Sequence, residues 1–264
     1  MTLSPKVYIV GAGPGDPELI TVKGLRILQQ ADTILYTDSL VRDELIAMAN
    51  PGATVLKSAG MELRQIVDVM TEHVRQGRSV ARVHTGDPAM FGAIMEQMAL
   101  LAKAGVDYEM VPGVSSVFAA AAVLGVELTV PELTQTVIMT RVEGRTPVPE
   151  REKLRELATH HCTLALFLSA VHPKTIVDDL QAANWPLDTP VAVVQKATWP
   201  EQKVIRTTLA GLVRAMGDAH ITSHAMILVG AALDPELVGQ GAHRSKLYDP
   251  AFTHRYRKGV SAGE

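Results

Sequence analysis

The sequence is poor in cysteine, in net charge and in long apolar runs. Its single cysteine, Cys162, excludes an internal disulfide framework and the cysteine-rich zinc patterns. Lys and Arg number 25 against 28 Asp and Glu, and this balance gives no sign of a nucleic-acid partner. The apolar runs fall short of the ~20 residues that cross a bilayer, and residues 1–6 lack the pattern of a signal or transit peptide. We therefore expect a cytoplasmic protein with no nucleic-acid or membrane partner.

Hydrophobic residues, in contrast, make up 47% of the 264 residues, enough to bury a large core. In the first half, short β-branched runs alternate with segments of helical periodicity. This alternation predicts βαβ units and a parallel sheet with helices on its faces. The predicted strands are 7–10, 33–36, 54–56, 79–84 and 107–111, and the predicted helices are 19–30, 42–49, 61–76 and 89–104.

A second alternating set follows a proline-containing stretch at residues 126–149. It predicts strands at 136–139, 163–168, 191–195, 204–207 and 225–229, with helices at 151–160, 173–183 and 209–216. We therefore predict an N-terminal α/β domain (1–114), a connecting helix and linker (115–132), a C-terminal α/β domain (133–236) and a basic tail (237–264).

Three predicted strands of the first half run directly into glycine-bearing turns. The turns are Gly11–Pro17, Thr85–Pro88 and Pro112–Ser116. In the first two, an aspartate precedes a proline, which is typical of a helix N-cap. In a parallel sheet such turns share the carboxyl edge of the strands, where open α/β sheets bind ligands. Three turns together predict a binding cleft, although each alone is also consistent with an ordinary tight turn.

The glycine pattern does not match the common nucleotide-binding motifs. Gly11 and Gly13 begin like the dinucleotide fingerprint, but Asp16 stands where its third glycine belongs. A carboxylate there is a poor neighbour for pyrophosphate, and no phosphate-binding P-loop motif is present. An uncharged or zwitterionic nucleoside fits better, with Asp87 on an ammonium or ribose hydroxyls and Ser115 on a polar edge.

The turn sequences Val10–Pro17, Thr85–Pro88 and Val111–Ser116 resemble motifs of the tetrapyrrole (corrin/porphyrin) methyltransferases. Within that family, Glu143–Glu150 and Lys196–Pro200 resemble the enzymes that methylate C-11 of precorrin-4 in cobalamin (vitamin B12) biosynthesis. The resemblance implies two α/β domains with a mostly parallel N-terminal sheet and a mixed C-terminal sheet. It also implies a homodimer and a cleft between the domains for S-adenosyl-L-methionine, which leaves as S-adenosyl-L-homocysteine.

Matching the motifs residue by residue gives the cofactor contacts that the resemblance implies. Related uroporphyrinogen methyltransferases typically have Met and Gly at two second-domain positions where this sequence has Leu168 and Ala197. The implied contacts are Pro14, Thr85, Gly86, Asp87, Met90, Ser115, Ser116, Leu168, Ala197 and Ala225.

For the chemistry, the resemblance points to Asp38 and Lys57 as groups that move protons. One extra residue precedes Asp38 relative to the related enzymes, and an aspartate at a strand end also suits a helix cap. The many carboxylates of a precorrin predict cationic contacts, for which bidentate arginine is best suited. We expect these from Arg141, Arg145, Arg244 and Lys246, the alternative being ordinary loop surface and a solvated tail.

No metal site is expected, because the closely spaced histidines, His160 with His161 and His220 with His224, lack partner ligands at familiar spacings. Three alternatives to methylation of metal-free precorrin-4 remain open at this point. They are cobalt-precorrin-4 as substrate, a sister enzyme acting on another tetrapyrrole carbon, and a regulator that binds the cofactor without turnover. Composition favours the metal-free substrate.

Overall fold

The structure is a computed structural model that describes residues 3–237 and 243–260. Residues 238–242 and 261–264 of the expected basic tail (237–264) lie outside the described residues. The chain divides into two compact units. The first comprises Met1–Ala120 with Lys196–Gln202, and the second comprises Ala121–Gln195 with Lys203–Glu264.

The first unit alternates strands and helices as the sequence predicts. Thr21 begins α1 as an N-cap, because its hydroxyl accepts from the Gly24 amide. A capping box at Glu62 and Gln65 fixes the start of α3. The elements are β1 (Val7–Gly11), α1 (Val22–Leu28), β2 (Thr33–Tyr36), α2 (Asp43–Ile46), β3 (Thr54–Lys57), α3 (Leu63–Arg75), β4 (Val80–His84), α4 (Met95–Lys103), β5 (Tyr108–Val111) and α5 (Ser116–Leu124), the last of which continues into the second unit.

The five strands of the first unit form one sheet in the order β3-β2-β4-β1-β5. Every pairing is parallel, which confirms the predicted parallel sheet. Since β4 inserts between β2 and β1, the strands β4, β1 and β5 are neighbours. These are the three strands that lead into the glycine turns.

The side chains of this sheet alternate between two apolar layers, as the period of a strand requires. Val10, Ile34 and Val83 belong to one buried cluster, together with Ile27 and Leu28 of α1. The opposite face buries the second cluster, made of Val7, Ile9, Leu35, Val80, Ile66, Met70 and Leu101. Helices thus cover both faces of the sheet, and the glycine turns lie at the ends of its strands.

The second unit also contains a five-stranded sheet, in the order β6-β7-β10-β8-β9. Only β6 and β7 pair in parallel, and the other pairings are antiparallel, so the sheet is mixed as predicted. The elements are β6 (Val137–Arg141), α6 (Leu154–Leu157), β7 (Thr163–Phe167), α7 (Pro173–Ala182), β8 (Pro190–Gln195), β9 (Lys203–Thr208), α8 (Leu212–Asp218) and β10 (Ala225–Val229).

The predicted helices are all shorter in the structure. The helix predicted at 19–30 is α1 (Val22–Leu28), and the one predicted at 42–49 is the single turn α2 (Asp43–Ile46). The helix predicted at 89–104 begins at Met95, because Phe91 and Ala93 have left-handed φ values of 54° and 49° that a helix cannot contain. The helix predicted at 151–160 has only one α-helical turn, α6, flanked by the 3-10 turns Glu150–Glu152 and Ala158–His160.

Residues 243–260 of the basic segment fold back on themselves. The Arg257 guanidinium donates to the carbonyl oxygens of Leu247 at 2.7 Å and Asp249 at 2.6 Å. The Gly259 amide donates to the Thr253 hydroxyl at 2.9 Å. Arg257 therefore braces this segment. Among the residues that the structure describes, no helix is long and apolar enough to cross a membrane.

Candidate active site

The three glycine turns contact one another at the carboxyl edge of the first sheet. Backbone atoms approach so closely that a side chain at Gly11 would lie 2.6 Å from the Gly113 amide nitrogen and 2.7 Å from the Gly86 carbonyl oxygen. A side chain at Gly113 would in turn collide with the same Gly86 oxygen. Glycine is required at Gly11 and Gly113 because the strands bring their backbones together there.

Gly86 is glycine for a different reason. Its amide donates to the Gly13 carbonyl at 2.8 Å, and the Gly13 amide donates back to Gly86 at 3.2 Å. This pairing holds Gly86 at a φ of +60°, yet no atom lies closer than 3.9 Å to the position of a Cβ. The turn therefore presents backbone beside open space, which is the arrangement that admits a ligand close to the chain.

Asp87 links the second turn to the third. Its Oδ1 accepts from the Ala89 amide at 2.8 Å, and its Oδ2 accepts from the Gly113 amide at 3.0 Å. The expectation that Asp87 caps a helix at Pro88 is wrong, because the residues after it form successive turns. Asp16, in contrast, does cap the 3-10 turn Pro17–Leu19 by accepting from the Glu18 amide.

The cofactor contacts implied for the first unit lie at this one edge. Thr85, Gly86 and Asp87 directly follow β4, and Pro14 is buried within the first turn. Ser115 is buried at the end of the third turn, Ser116 begins α5, and Met90 is half-buried in the turns after β4.

The other implied cofactor contacts gather at one end of the second sheet. Leu168 directly follows β7 with a left-handed φ of 53° and a side chain 68% exposed. Ala225 opens β10 and pairs with Gln195, the last residue of β8. Ala197 follows two residues later, in the β8–β9 connection Lys196–Gln202, which groups with the first unit. An exposed leucine held in a strained conformation is consistent with a residue that serves a ligand.

The β8–β9 connection makes a contact that the sequence did not predict. The indole Nε1 of Trp199 donates to the Pro14 carbonyl at 2.9 Å, and the ring fills the space beside Gly15. The Asp16 amide donates to the Thr198 hydroxyl at 2.9 Å. The first glycine turn is thus held by residues more than 180 positions away along the chain.

Asp38 and Lys57 lie at the same carboxyl edge. Asp38 follows β2, and Lys57 is the last residue of the neighbouring strand β3. Lys57 is in register with Tyr36, and its Nζ lies 6.0 Å from the centroid of that ring. Asp38 is half-buried, and its Oδ1 accepts from the Ala59 amide at 2.9 Å. The Asp38 carboxylate therefore holds the loop after β3.

A buried polar pair on β4, which the sequence also did not single out, lies beneath this edge. Arg82 is 3% exposed and has neutral partners, since it donates to Gln97 Oε1 at 3.1 Å and Ser58 Oγ at 2.8 Å. Burial lowers the pKa of Arg82 to about 10. His84 is 6% exposed with no partner for its Nε2, and burial, followed by the Arg82 charge, lowers its pKa to about 3. His84 is therefore neutral, despite its position next to Thr85.

The four cations expected to contact substrate lie in the second unit. Arg141 ends β6 and donates to the carbonyl oxygens of Thr146 at 3.2 Å and Pro147 at 2.8 Å, which braces its own loop. Arg145 is exposed, as are Arg244 and Lys246. Within the described ranges, no three His, Cys, Asp or Glu side chains are grouped so as to hold a metal ion.

A parallel sheet with clustered glycine turns, followed by a mixed sheet, defines a two-unit α/β protein with a candidate small-molecule site at the strand ends of its first sheet. The family described as Tetrapyrrole (Corrin/Porphyrin) Methylases matches residues 6–213. The chain belongs to this family.

Individual relatives agree with that assignment. The sequence is 61% identical over 257 residues to the cobalt-precorrin-4 C(11)-methyltransferase of Priestia megaterium, covering 97% of this chain and 99% of the relative. It is 45% identical to the precorrin-4 C(11)-methyltransferase of Pseudomonas aeruginosa, covering 96% and 99%. A solved cobalt precorrin-4 methyltransferase superposes with a TM-score of 0.86 at 62% identity, covering 88% of this chain and 97% of that one.

Proposed function

We propose that this chain methylates precorrin-4 at C-11 to give precorrin-5 in cobalamin biosynthesis, with S-adenosyl-L-methionine as methyl donor. The 61% identity to the cobalt-precorrin-4 C(11)-methyltransferase of Priestia megaterium, over nearly the full length of both chains, carries the assignment of the reaction at C-11. A structural relative, the uroporphyrin-III C-methyltransferase of Thermus thermophilus, is complexed with S-adenosyl homocysteine, at 29% identity and a TM-score of 0.72.

The residues at the first sheet's edge fit such a cofactor. The open space beside Gly86 admits a ligand against the backbone, while Thr85 and Ser115 offer hydroxyls for polar groups. Asp87 retains acceptor capacity after its two backbone hydrogen bonds, because each carboxylate oxygen has two lone pairs. Pro14, Met90 and Ser116 would complete the contacts of the first unit, and Leu168, Ala197 and Ala225 would supply the rest.

When bound, the cofactor supplies a methyl group on an electrophilic sulfonium. The acceptor is an electron-rich carbon of a conjugated pyrrole system. The chain therefore has mainly to align the two reactants and exclude water, rather than provide a strong base. Asp38 and Lys57 are proposed to accept and pass on the proton that the substrate releases when its carbon gains the methyl group, because both lie at the edge where the glycine turns cluster.

Substrate carboxylates are proposed to pair with Arg145, Arg244 and Lys246. Arg141 would contribute the guanidinium N–H groups that do not bond to its own loop. Assembly as a homodimer and a cytoplasmic location are part of the same proposal.

Cobalt-precorrin-4 is the second candidate substrate. The 61% and 49% identical enzymes support it, because both carry cobalt in their names, whereas the 45% identical enzyme supports the metal-free compound.

The test is turnover with purified protein. We expect release of S-adenosyl-L-homocysteine in the presence of precorrin-4 or cobalt-precorrin-4, and the ratio of kcat/KM for the two identifies the preferred form. Methylated product analysed by NMR after transfer of a ¹³C-methyl group would locate the new bond at C-11. Cofactor binding without release of S-adenosyl-L-homocysteine would leave the regulator as the correct alternative.

A further inference from the structure

Two cationic side chains meet a single indole ring beside the first glycine turn. The Lys196 Nζ lies 5.3 Å from the centroid of Trp199, and the guanidinium carbon of Arg42 lies 5.7 Å from it. Both distances are within the ~6 Å over which a cation is attracted to an aromatic face. Two like charges therefore contact the same ring.

The ring that holds these cations is fixed in place. Besides its hydrogen bond to Pro14, Trp199 occupies the space that a side chain at Gly15 would need. Lys196 and Thr198 adopt left-handed φ values of 48° and 69°, which are rare for a β-branched residue such as threonine. Strained backbone of this kind persists where surrounding contacts determine it, and it is concentrated at functional sites.

The ion pairs that these two cations already make are weak. The Arg42 side chain is 13% exposed and donates to Glu44, whose side chain is 60% exposed. Lys196 lies 3.8 Å from Glu201, whose side chain is 64% exposed. Ion pairs to carboxylates this exposed contribute little, so a ligand carboxylate can replace them.

We propose that Arg42 and Lys196, positioned by Trp199, bind a carboxylate side chain of the tetrapyrrole substrate. This inference rests on the proposed function, because the acidic tetrapyrrole supplies the carboxylates. The chemistry matches, since guanidinium and ammonium groups pair with carboxylates through charge-assisted hydrogen bonds. The location also matches, because Trp199 contacts Pro14, a proposed cofactor contact, and the substrate must lie next to the cofactor for methyl transfer.

The first experiment measures steady-state kinetics of Arg42→Gln and Lys196→Gln. Each loses one charge-assisted contact, so the KM for the tetrapyrrole should rise about fivefold in each variant and more in the double variant. The affinity for S-adenosyl-L-homocysteine measured by calorimetry should stay within twofold of wild type. Arg214→Gln is the matched control, because Arg214 is 88% exposed on α8, where it pairs with Asp218.

A second pair of variants tests the same site and should change the KM for the tetrapyrrole in the opposite direction. Glu44→Gln and Glu201→Gln remove the carboxylates that compete with the ligand. Both should lower the KM for the tetrapyrrole about two- to threefold, as expected from the small energy of exposed pairs. A purely structural role for the cation cluster predicts no such gain, because losing an ion pair would only loosen it.

A direct binding readout uses the fact that the chain has two tryptophans. In a Trp185→Phe background, fluorescence reports Trp199 alone. Uroporphyrin III, a stable acidic tetrapyrrole, serves as the probe, and its titration should quench Trp199 with a dissociation constant that rises with salt. Arg42→Gln and Lys196→Gln in this background should weaken probe binding and make its salt dependence shallower.

The proposal is overturned if the double variant Arg42→Gln, Lys196→Gln retains the KM and the probe affinity of an active parent enzyme. Failure of the proposed function has a different signature. In that case the wild-type protein itself releases no S-adenosyl-L-homocysteine, while the fluorescence titration still reports whether the two cations bind an acidic tetrapyrrole.

Discussion

Gly11 and Gly113 face each other at the carboxyl ends of the neighbouring parallel strands β1 and β5. The backbone of each glycine occupies the space that a side chain on the other would need. A Cβ at Gly11 would lie 2.6 Å from the Gly113 nitrogen, and a Cβ at Gly113 would lie 2.8 Å from the Gly11 Cα. This contact sets the spacing of the first and third turns, and Asp87 adds the second turn through its bond to the Gly113 amide. The candidate site is therefore a property of three joined turns rather than of any one.

The first prediction separates glycines needed for the fold from glycines needed for the ligand. Gly113→Ala should lower the free energy of unfolding by several kcal/mol, since its Cβ meets backbone that cannot move cheaply. Gly86→Ala has room for the added atom, so it should cost only about 1–2 kcal/mol for the left-handed φ. Gly86→Val should remain folded but bind S-adenosyl-L-homocysteine at least about tenfold more weakly, a loss of about 1.4 kcal/mol. Urea unfolding and calorimetry would test these values, and a well-folded Gly86→Val with unchanged affinity would place the ligand elsewhere.

The second prediction concerns ligand-linked stability. S-adenosyl-L-homocysteine at 100 times its dissociation constant should stabilise the native state by about 2.7 kcal/mol and raise the melting temperature. NAD at the same concentration should not, because Asp16 replaces the third glycine of the dinucleotide fingerprint. Differential scanning fluorimetry gives both results in one experiment, and a shift with NAD alone would contradict the assignment.

The third prediction is a pH dependence that follows from His84. In the folded chain the pKa of His84 is lowered to about 3, whereas its ordinary value is 6.5. Between these two pH values the unfolded chain binds the extra proton, so stability falls as the pH is lowered from 6.5 towards 3. His84→Gln should make this fall shallower by up to about 1.4 kcal/mol per pH unit. Urea unfolding at pH 4.5, 5.5 and 7 measures the slope, and identical slopes for both proteins would show that His84 titrates normally.

The fourth prediction concerns the basic segment. Arg257 donates to two carbonyl groups of this segment, so Arg257→Gln should expose Tyr248 and Phe252 to faster chymotryptic cleavage. Lys258→Gln removes a neighbouring charge and serves as the control, with cleavage as slow as in the parent. If this segment also contacts substrate, truncation after Leu237 should raise the KM for the tetrapyrrole and weaken its salt dependence. If it instead packs between subunits, truncation should yield monomers in sedimentation experiments.

The regular parts of the fold were accessible from sequence because local patterns determine them. The predicted strands at 33–36 and 225–229 match β2 and β10 residue for residue, since each is a short apolar run between turn residues. The start of α4 was not accessible, because nothing local marks Phe91 and Ala93 as left-handed. In the same way, only the folded chain shows that the Arg141 guanidinium braces Thr146 and Pro147.

In the candidate site, too, the features set by local pattern were predictable and those set by distant contacts were not. The glycine turns could be predicted to meet, because parallel strands place their carboxyl ends at one edge. The contact of Trp199 with Pro14 could not, since it joins residues 185 positions apart across a strained connection. The burial of His84 likewise depends on the packing of whole layers, which a single strand pattern does not specify.

The position of β4 has a consequence for the order in which the molecule is built. Because β4 separates β1 from β2, the first two strands to leave the ribosome cannot pair with each other and must wait for a later partner. The contacts among Gly11, Gly86 and Gly113 form only after β5 has been synthesised. Pairing of strands this distant along the chain slows folding, so the nascent N-terminal segment stays exposed for longer than in a simple hairpin arrangement. Nascent chains that end before residue 111 are thus expected to be protease-sensitive along β1 and β2.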